Sequence, residues 1–255
     1  MGVDYVLFER LCELSTRFRP EGRTLMLGRH GFVIEERFER LYQAALRTHG
    51  IPHDLADLVQ PDGYAETLMS KLGFGAMEAM DFSDYEGASL LHDLNQPVPP
   101  ELEGAFDFIF DGGTIEHVFN VPMALANVFR MLRPGGRAVS ANGMNGWAGH
   151  GMYQFNPELV WTFWRRTCDC KVHDCRGIKK LPVPKELHLP FPDPAETGRR
   201  LRLKGKVPQG RVYLYYEVER MAQSALGSSA LQSDYETRWA THGNAGATRL
   251  DQTEA

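Results

Sequence analysis

The sequence predicts an α/β protein built on a doubly wound, mostly parallel sheet. Short apolar runs of strand length alternate along the chain with longer segments whose apolar residues recur at helical spacing. The segment from Phe106 to Ala141 also places a strand, an acidic turn, a helix and a second strand in succession. Such a unit forms a right-handed crossover between two parallel strands, which is the repeating unit of this fold class.

The crossover carries clear local signals. Its first strand is the apolar run from Phe106 to Phe110, which the turn Asp111-Gly112-Gly113 ends. Asn120 is a capping residue, so a helix is predicted to begin there, and Pro134-Gly135-Gly136 ends it before a second strand at 137–141. The glycines after the first strand let the backbone approach a ligand closely.

The elements before the crossover follow the same alternation of helical and strand patterns. They are a helix over residues 3–18, a strand at Thr24–Leu27, a helix over 32–49, a helix from Asp62 to Lys71 with Asp62 as its cap, and strands over 76–81 and 88–94.

After the crossover, the glycine-rich segment 142–155 lies beyond a strand end, where open parallel sheets bind ligands. The elements predicted beyond it are a helix from Asn156, a sixth strand on which Cys168, Cys170 and Val172 share one face, a long irregular connection over 177–210, a last strand at Val212–Val218, and a disordered tail.

Composition limits the classes of function. The chain has 255 residues and a formal net charge of −5, which argues against a dedicated nucleic-acid-binding protein. It contains no apolar run long enough to span a membrane, and its N-terminus lacks the apolar core of a signal peptide. We therefore expect a cytoplasmic protein with four reduced cysteines, no membrane partner and a small-molecule substrate. A homodimer remains open as its assembly.

The segment Cys168 to Cys175 contains three cysteines and His173, a composition that also occurs in zinc sites. No second Cys-x-x-Cys pair elsewhere in the sequence completes four ligands. The alternation of a strand face explains the same residues, so no metal site is predicted.

Two pieces of the crossover, FDFIFDGGTIEHV at 106–118 and MLRPGGRAV at 131–139, resemble the fourth strand, fourth helix and fifth strand of the class I S-adenosylmethionine (SAM)-dependent methyltransferases. The resemblance covers roughly residues 22–219. It implies a Rossmann-like sheet of seven strands and SAM as the cofactor. The predicted organisation is an N-terminal helical cap at 1–21, a methyltransferase-like domain at 22–220 and a flexible C-terminal tail at 221–255.

The resemblance also implies where the cofactor binds. The loop after the first strand would hold the methionine part of SAM, although it keeps only Gly28 and Gly31 and lacks the acid that usually precedes the first glycine. An acid at the end of the second strand would bind both ribose hydroxyls, and Asp81 is expected in this role, with Asp84 as the alternative. The full set of implied cofactor-binding residues is Gly28, Arg29, Asp81, Phe82, Asp93, Leu94, Asp111 and Gly112.

The implied reaction is transfer of the SAM methyl group to an oxygen or nitrogen atom of a small molecule. His150, His117 and Tyr153 are the candidate catalytic residues, because histidine titrates near neutral pH and can serve as a base. Because the first loop departs from the family pattern, the alternative is a non-catalytic binding or partner subunit on the same fold. A nicotinamide-dependent oxidoreductase is disfavoured, because no Gly-x-Gly-x-x-Gly follows the first strand.

Overall fold

The computed structural model describes residues 2–180, 188–197, 200–232 and residue 235. Within these residues, one sheet is formed by eight strands: β1 (Arg23–Leu27), β2 (Met77–Asp81), β3 (Leu90–Leu91), β4 (Phe106–Asp111), β5 (Leu132–Asn145), β6 (Lys171–Lys179), β7 (His188–Pro190) and β8 (Val212–Glu219). Their spatial order is β3-β2-β1-β4-β5-β8-β6-β7. The first five strands pair in parallel, and β8 runs antiparallel to both of its neighbours, β5 and β6.

Helices cover both faces of this sheet, which confirms the predicted doubly wound α/β class. They are α1 (Tyr5–Ser15), α2 (Glu39–Thr48), α3 (Glu66–Met69) continued by a π-turn (Ser70–Phe74), α4 (Val121–Met131), α5 (Pro157–Leu159) continued by a π-helix (Val160–Thr167), and α6 (Pro194–Thr197). Short 3₁₀ turns occur at Glu36–Phe38, Leu55–Leu58, Pro100–Leu102 and Ile115–His117. One apolar core contains α1, α2 and α3, and a second contains α4 and the π-helix. No helix among the described residues is long and apolar enough to cross a membrane.

The predicted number of strands was one too low. The additional strand is β7, which pairs antiparallel with β6 at the edge of the sheet. It forms within the connection that was predicted to be irregular over 177–210, where β6 also continues to Lys179. Residues 181–187, 198 and 199 of that connection lie outside the described residues.

Several predicted boundaries differ from the structure, because tertiary pairing decides where an element ends. The helix predicted from Asp62 begins at Glu66, since the Asp62 side chain pairs with Arg29 instead of capping it. The third strand has only two residues, and the fifth begins at Leu132 because that residue pairs with Phe106. The Pro-Gly-Gly turn therefore forms an irregularity inside β5. Cys168 and Cys170 precede β6 instead of lying on it.

The tail predicted over 221–255 begins with contacts to the rest of the chain. The hydroxyl of Ser224 donates to the carbonyl of Asp169 at 2.7 Å, and the Gly227 N–H donates to the carbonyl of Thr167 at 3.1 Å. Residues 233, 234 and 236–255 lie outside the described residues.

Helix α4 begins as predicted, and it positions the loop after β3. Asn120 caps the helix by accepting a hydrogen bond from the Met123 N–H, and its own N–H donates to the Asn95 side chain at 2.9 Å. Further along the helix, the fully buried Asn127 donates to the carbonyls of Leu94 and Gln96 and accepts from the N–H of Val98. One buried amide thus holds the backbone of the loop that contains two predicted cofactor-binding residues.

The loops after β1 and β4 are joined through His30, which is 1% exposed. Its Nε2 accepts a hydrogen bond from the Gly112 N–H at 3.2 Å, and its ring meets that of Phe110 edge-on at 5.2 Å. A side chain at Gly112 would lie 3.0 Å from both rings, so glycine is needed there for close packing. Burial lowers the pKa of His30 to about 3, so the ring is neutral near pH 7.

We expect Asn127→Ala to lower the free energy of unfolding by about 2–3 kcal/mol, because a buried amide loses its hydrogen bonds and the Val98 N–H is left without a partner. Asn145→Ala is the matched control, since that exposed side chain makes one contact of 3.5 Å and its loss should cost less than about 0.5 kcal/mol. Denaturant unfolding of both variants measures the difference. Equal losses would contradict the role assigned to Asn127.

We expect His30 to make folding sensitive to acid. Its pKa is depressed in the folded state, so its contribution is fully present above the unfolded pKa of 6.5 and is lost as the pH falls towards about 3. Between pH 7 and pH 5 the free energy of unfolding of the native protein should fall by about 2 kcal/mol more than that of His30→Gln, because the unfolded histidine takes up a proton over that range. Denaturant unfolding of both proteins at pH 8, 7 and 5 measures this. The difference between the two proteins at pH 8 gives the effect of the substitution that does not depend on protonation. Parallel losses in the two proteins would show that another group is responsible.

Candidate functional site

The carboxyl ends of β1, β2 and β4 meet where the strand order reverses, at the position where open α/β sheets bind ligands. The N–H of Gly28 donates to the carbonyl of Met80 at 2.7 Å, which joins the ends of β1 and β2. The hydroxyl of Thr114 donates to the carbonyl of Leu27, which joins the ends of β1 and β4. These contacts place the loops that follow three neighbouring strands at one edge of the sheet.

Gly28 has a backbone conformation that favours glycine, with φ +73°. A side chain there would place its Cβ 2.7 Å from the Thr114 hydroxyl oxygen and 3.9 Å from Oδ2 of Asp81. The glycine therefore lets the loop after β1 pass close to both the turn after β4 and the acid after β2.

Asp81 ends β2 with its carboxylate half-buried. Its Oδ1 accepts a hydrogen bond from the Phe82 N–H at 2.6 Å, whereas its Oδ2 has no hydrogen-bond partner among the described residues. The neighbouring Phe82 ring is 76% exposed. An acceptor oxygen and an apolar ring are thus both available to a ligand. Asp84, the alternative acid, lies exposed in the turn that follows.

Asp93 and Leu94 differ in how they face the solvent. Asp93 accepts hydrogen bonds from the N–H and the side-chain amide of Asn95, at 2.9 and 2.7 Å, and the bond from the Asn95 N–H is the main cause that lowers its pKa. It is therefore a carboxylate near neutral pH. The side chain of Leu94 packs into the core at 7% exposure. Any ligand contact at this position has to use the backbone or the small exposed part of that side chain.

Arg29 is engaged by protein groups. Its guanidinium pairs with Glu66 and with Asp62, donates to the carbonyl of Glu86, and lies 3.8 Å above the ring of Tyr64. These contacts tie the loop after β1 to the start of α3 and to the loop after β2. The structure therefore gives Arg29 a role in positioning these loops.

Asp111 is buried, and both of its carboxylate oxygens accept hydrogen bonds from the protein. Oδ1 accepts from three successive N–H groups, those of Gly113, Thr114 and Ile115, at 2.8–3.3 Å. Oδ2 accepts from the hydroxyl of Ser140 at 2.8 Å and the amide of Asn142 at 2.6 Å, both on β5. Asp111 thus fixes the turn after β4 against the next strand.

The turn that Asp111 fixes carries Glu116 and His117, and His150 reaches the same point from the segment after β5. Nε2 of His150 lies 3.2 Å from Oε1 of Glu116, and Nε2 of His117 lies 3.8 Å from the same oxygen. The two imidazole rings are edge-on, with centroids 5.1 Å apart. We call these three residues the Glu-His-His cluster.

Glu116 is held in place from several directions. It is 2% exposed, and its Oε2 accepts a hydrogen bond from the Gly143 N–H. Its own N–H donates to the Asn142 side chain at 3.2 Å, and its carbonyl accepts from the Met152 N–H at 2.8 Å. These bonds leave Oε1 directed at the two histidines. Sequence reasoning did not include Glu116 among the catalytic candidates.

The environment changes the proton affinity of each member of the cluster. Burial raises the pKa of Glu116 to about 7, against the hydrogen bond from Gly143. Burial lowers the pKa of His117, as does His150. Burial likewise lowers the pKa of His150, with further effects from Arg211 and Lys180. Both imidazoles are therefore neutral near pH 7 and can accept a proton or a metal ion.

Tyr153 does not join this cluster through its hydroxyl, which donates to the carbonyl of Phe119 at 2.8 Å. Its N–H contacts the Glu116 carbonyl at 3.2 Å, and its ring stacks on Phe155. Tyr153 therefore orders the segment after β5 on the turn after β4.

The cluster borders a small cavity of about 140 Å³. Glycines 2, 112 and 113 lie along this cavity together with Glu116, Trp147, His150, Lys180, Arg211 and Tyr213. Two larger cavities, of about 640 and 650 Å³, share the lining residues Arg200, Leu201 and Leu203, and neither is lined by a predicted site residue. Because the small cavity adjoins the carboxyl ends of the central strands, it is the better candidate for the site of chemistry.

No curated protein matches this chain. A structure of the 1,6-didemethyltoxoflavin-N1-methyltransferase of Burkholderia thailandensis, with S-adenosylhomocysteine bound, is 15% identical and aligns over 84% of this chain and 79% of that chain, with a TM-score of 0.40. The YcgJ protein of Bacillus subtilis is 12% identical over 84% of this chain and 98% of that chain, with a TM-score of 0.42.

A family model described as a methyltransferase domain matches residues 78–140. The matched residues run from β2 to β5 and include Asp81, Asp93, the turn after β4 and the whole of α4. This match confirms the resemblance to the class I SAM-dependent methyltransferases in the part of the chain that forms the centre of the sheet.

Proposed function

We propose that this protein is a SAM-dependent methyltransferase that transfers a methyl group to an oxygen or nitrogen atom of a small molecule. The observation that carries the proposal is the carboxylate of Asp81, which ends β2 with one oxygen unpartnered among the described residues. It lies beside Gly28 at the point where the strand order reverses. A carboxylate is an acceptor only, so it can bind the two hydroxyls of a ribose.

The remaining cofactor contacts follow from this position. The exposed ring of Phe82 is available to pack against adenine, and Asp93 with the Leu94 backbone lies in the neighbouring loop. The methionine part of SAM would lie between Gly28 and the backbone of Gly112. In this proposal Arg29 and Asp111 act by holding the loops, because their polar atoms already bond to protein groups.

Methyl transfer depends mainly on orientation, because the sulfonium of SAM already activates the methyl group. The protein has to hold the acceptor in line with that group at near-contact distance. The Glu-His-His cluster is on the turn after β4, next to the proposed cofactor site. His150, neutral near pH 7, would remove the acceptor's proton, and Glu116 at 3.2 Å would stabilise the resulting imidazolium. His117 is the second candidate base, and Tyr153 supports the segment that carries His150.

We expect S-adenosylhomocysteine to bind one site per chain. Asp81→Asn should lower this affinity at least about tenfold, because the amide of the variant replaces one acceptor oxygen with a donor. Asp84→Asn is the matched control, since that exposed acid lies three residues further along, and it should bind as the native protein does. Isothermal titration calorimetry measures all three affinities.

If Asp84→Asn lowered the affinity and Asp81→Asn did not, the ribose contact would be assigned to Asp84. Failure of both SAM and S-adenosylhomocysteine to bind the native protein at millimolar concentration would contradict the proposal. It would instead favour the non-catalytic binding or partner subunit, which the unusual loop after β1 also suggests.

We expect His150→Ala to abolish methyl transfer while leaving the affinity for S-adenosylhomocysteine within about twofold, because His150 is assigned to the acceptor and not to the cofactor. Transfer of labelled methyl groups from SAM to a small-molecule extract measures the first effect, and calorimetry measures the second. His53→Ala is the control, because its ring contacts the Lys71 carbonyl and lies outside the cluster. Undiminished labelling by His150→Ala would refute the role of this residue.

A further inference from the structure

We propose that Glu116, His117 and His150 bind a divalent transition-metal ion beside the proposed cofactor site. One oxygen of Glu116 and one nitrogen of each histidine all lie within 4.8 Å of one another. Ligands at the usual metal distance of about 2.1 Å are separated by about 3.3 Å when they occupy adjacent coordination positions. The separations of 3.2 and 3.8 Å from Glu116 Oε1 are close to this value, so only small ring movements are needed.

The fold fixes these ligands before any ion binds. Glu116 and His117 are neighbours in the 3₁₀ turn that Asp111 holds, and the Gly143 N–H engages the outer oxygen of Glu116. His150 packs against the indole of Trp147, with ring centroids 5.0 Å apart. Supporting contacts of this kind orient metal ligands and raise affinity.

The donor set selects the class of ion. Two imidazole nitrogens and one carboxylate oxygen suit zinc, iron, cobalt, nickel or manganese, whereas magnesium and calcium prefer oxygen ligands. Three protein ligands leave at least one coordination position open, which is the arrangement of catalytic metal sites. The side chains of His117 and His150 are 42% and 35% exposed and that of Glu116 is 3% exposed, so the open positions face outward from the protein interior.

Two positively charged side chains favour a particular class of molecule at the open coordination position of the ion. Lys180 and Arg211 line the same cavity as Glu116 and His150. Their charges oppose the ion but favour an anionic ligand bound to it. The geometry therefore points to an acceptor that binds the metal through an ionised oxygen, such as a phenolate, an enolate or an alkoxide.

In this arrangement the acceptor hydroxyl releases its proton to solvent when its oxygen binds the ion. A lone pair of that oxygen then forms the new bond to the SAM methyl carbon, and the carbon–sulfur electron pair leaves with the sulfur to give S-adenosylhomocysteine. This role for the ion rests on the proposed function. The metal site itself does not depend on it.

Cobalt(II) is the probe, because its visible absorption reports the ligands and their geometry. The full chain, treated with chelator and dialysed, should bind one cobalt(II) per molecule, which zinc should displace and magnesium should not. Glu116→Gln and His150→Ala should each weaken binding at least about 100-fold, more than the loss of a supporting group does. His117→Ala is a second ligand variant with an exposed side chain, so it tests the site with little risk to folding.

His173→Ala is the matched control, because its ring pairs with Glu219 and lies outside the cluster. It should bind cobalt(II) as the native protein does. Binding that survives all three ligand variants would overturn the assignment. A thiolate-to-cobalt charge-transfer band would also overturn it, because it would place the ion at one of the four cysteines, Cys12, Cys168, Cys170 or Cys175. So would the absence of cobalt(II) and zinc binding.

Calorimetry with S-adenosylhomocysteine on the same samples separates the two proposals. Metal binding without cofactor binding would retain the metal site and reject the methyltransferase function. Cofactor binding without metal binding would reject the metal site alone and leave His150 as the base of the proposed function, a role that a metal-bound imidazole does not fill.

Discussion

The carboxylate of Asp111 is the group on which the arrangement of this site depends. Removing a charged carboxylate from water is costly unless hydrogen bonds replace the lost solvation. Here five donors do so, three from the backbone of the following turn and two from side chains of β5. The same contacts set the direction of the turn and its distance from the next strand. The hydrogen bonds of Asp111 therefore fix the positions of Glu116 and His117.

The candidate site combines residues from two halves of the sheet. Most of the proposed cofactor residues lie at or after the ends of β1, β2 and β3, whereas Gly112 and the Glu-His-His cluster follow β4 and β5. Thr114 connects them, because its N–H binds Asp111 while its hydroxyl binds the Leu27 carbonyl at the end of β1. A side chain at Gly28 would collide with that hydroxyl oxygen. Gly28 therefore allows the loop after β1 to keep its position against the turn after β4, independently of any ligand contact.

Sequence patterns predicted the parts of this structure that depend on local interactions. The cap at Asn120 and the strand at Phe106 follow from hydrogen bonding and periodicity within a few residues, and each was found where expected. Elements that depend on partners were less predictable. Leu132 joins a strand because Phe106 lies beside it, and the third strand is short because only Met80 and Asp81 pair with it. Neither partner can be identified from the local sequence.

The same distinction applies to the candidate site. The position of Asp81 at the end of β2 was predicted, because strand ends can be recognised in the sequence, whereas its contact with a ribose stays a proposal. The Glu-His-His cluster was not predicted as a unit, since His150 is far from Glu116 in sequence and joins it only because β4 and β5 are adjacent. His30 was also missed, because nothing in Gly28-Arg29-His30-Gly31 shows that the imidazole turns inward towards Gly112. The ring packs edge-on against Phe110 and accepts the hydrogen bond from the Gly112 N–H.

The contacts of His30 hold the loop after β1 in place. The ring of His30 fills the space below the loop and accepts the Gly112 N–H, which would otherwise be a buried donor without a partner. The loop is thereby supported from beneath by a side chain instead of by additional glycine turns. At the outer edge of the loop, Gly28 leaves room beside Asp81, where the nucleoside is proposed to bind. The sequence of this loop thus determines how the loop is held against the turn after β4.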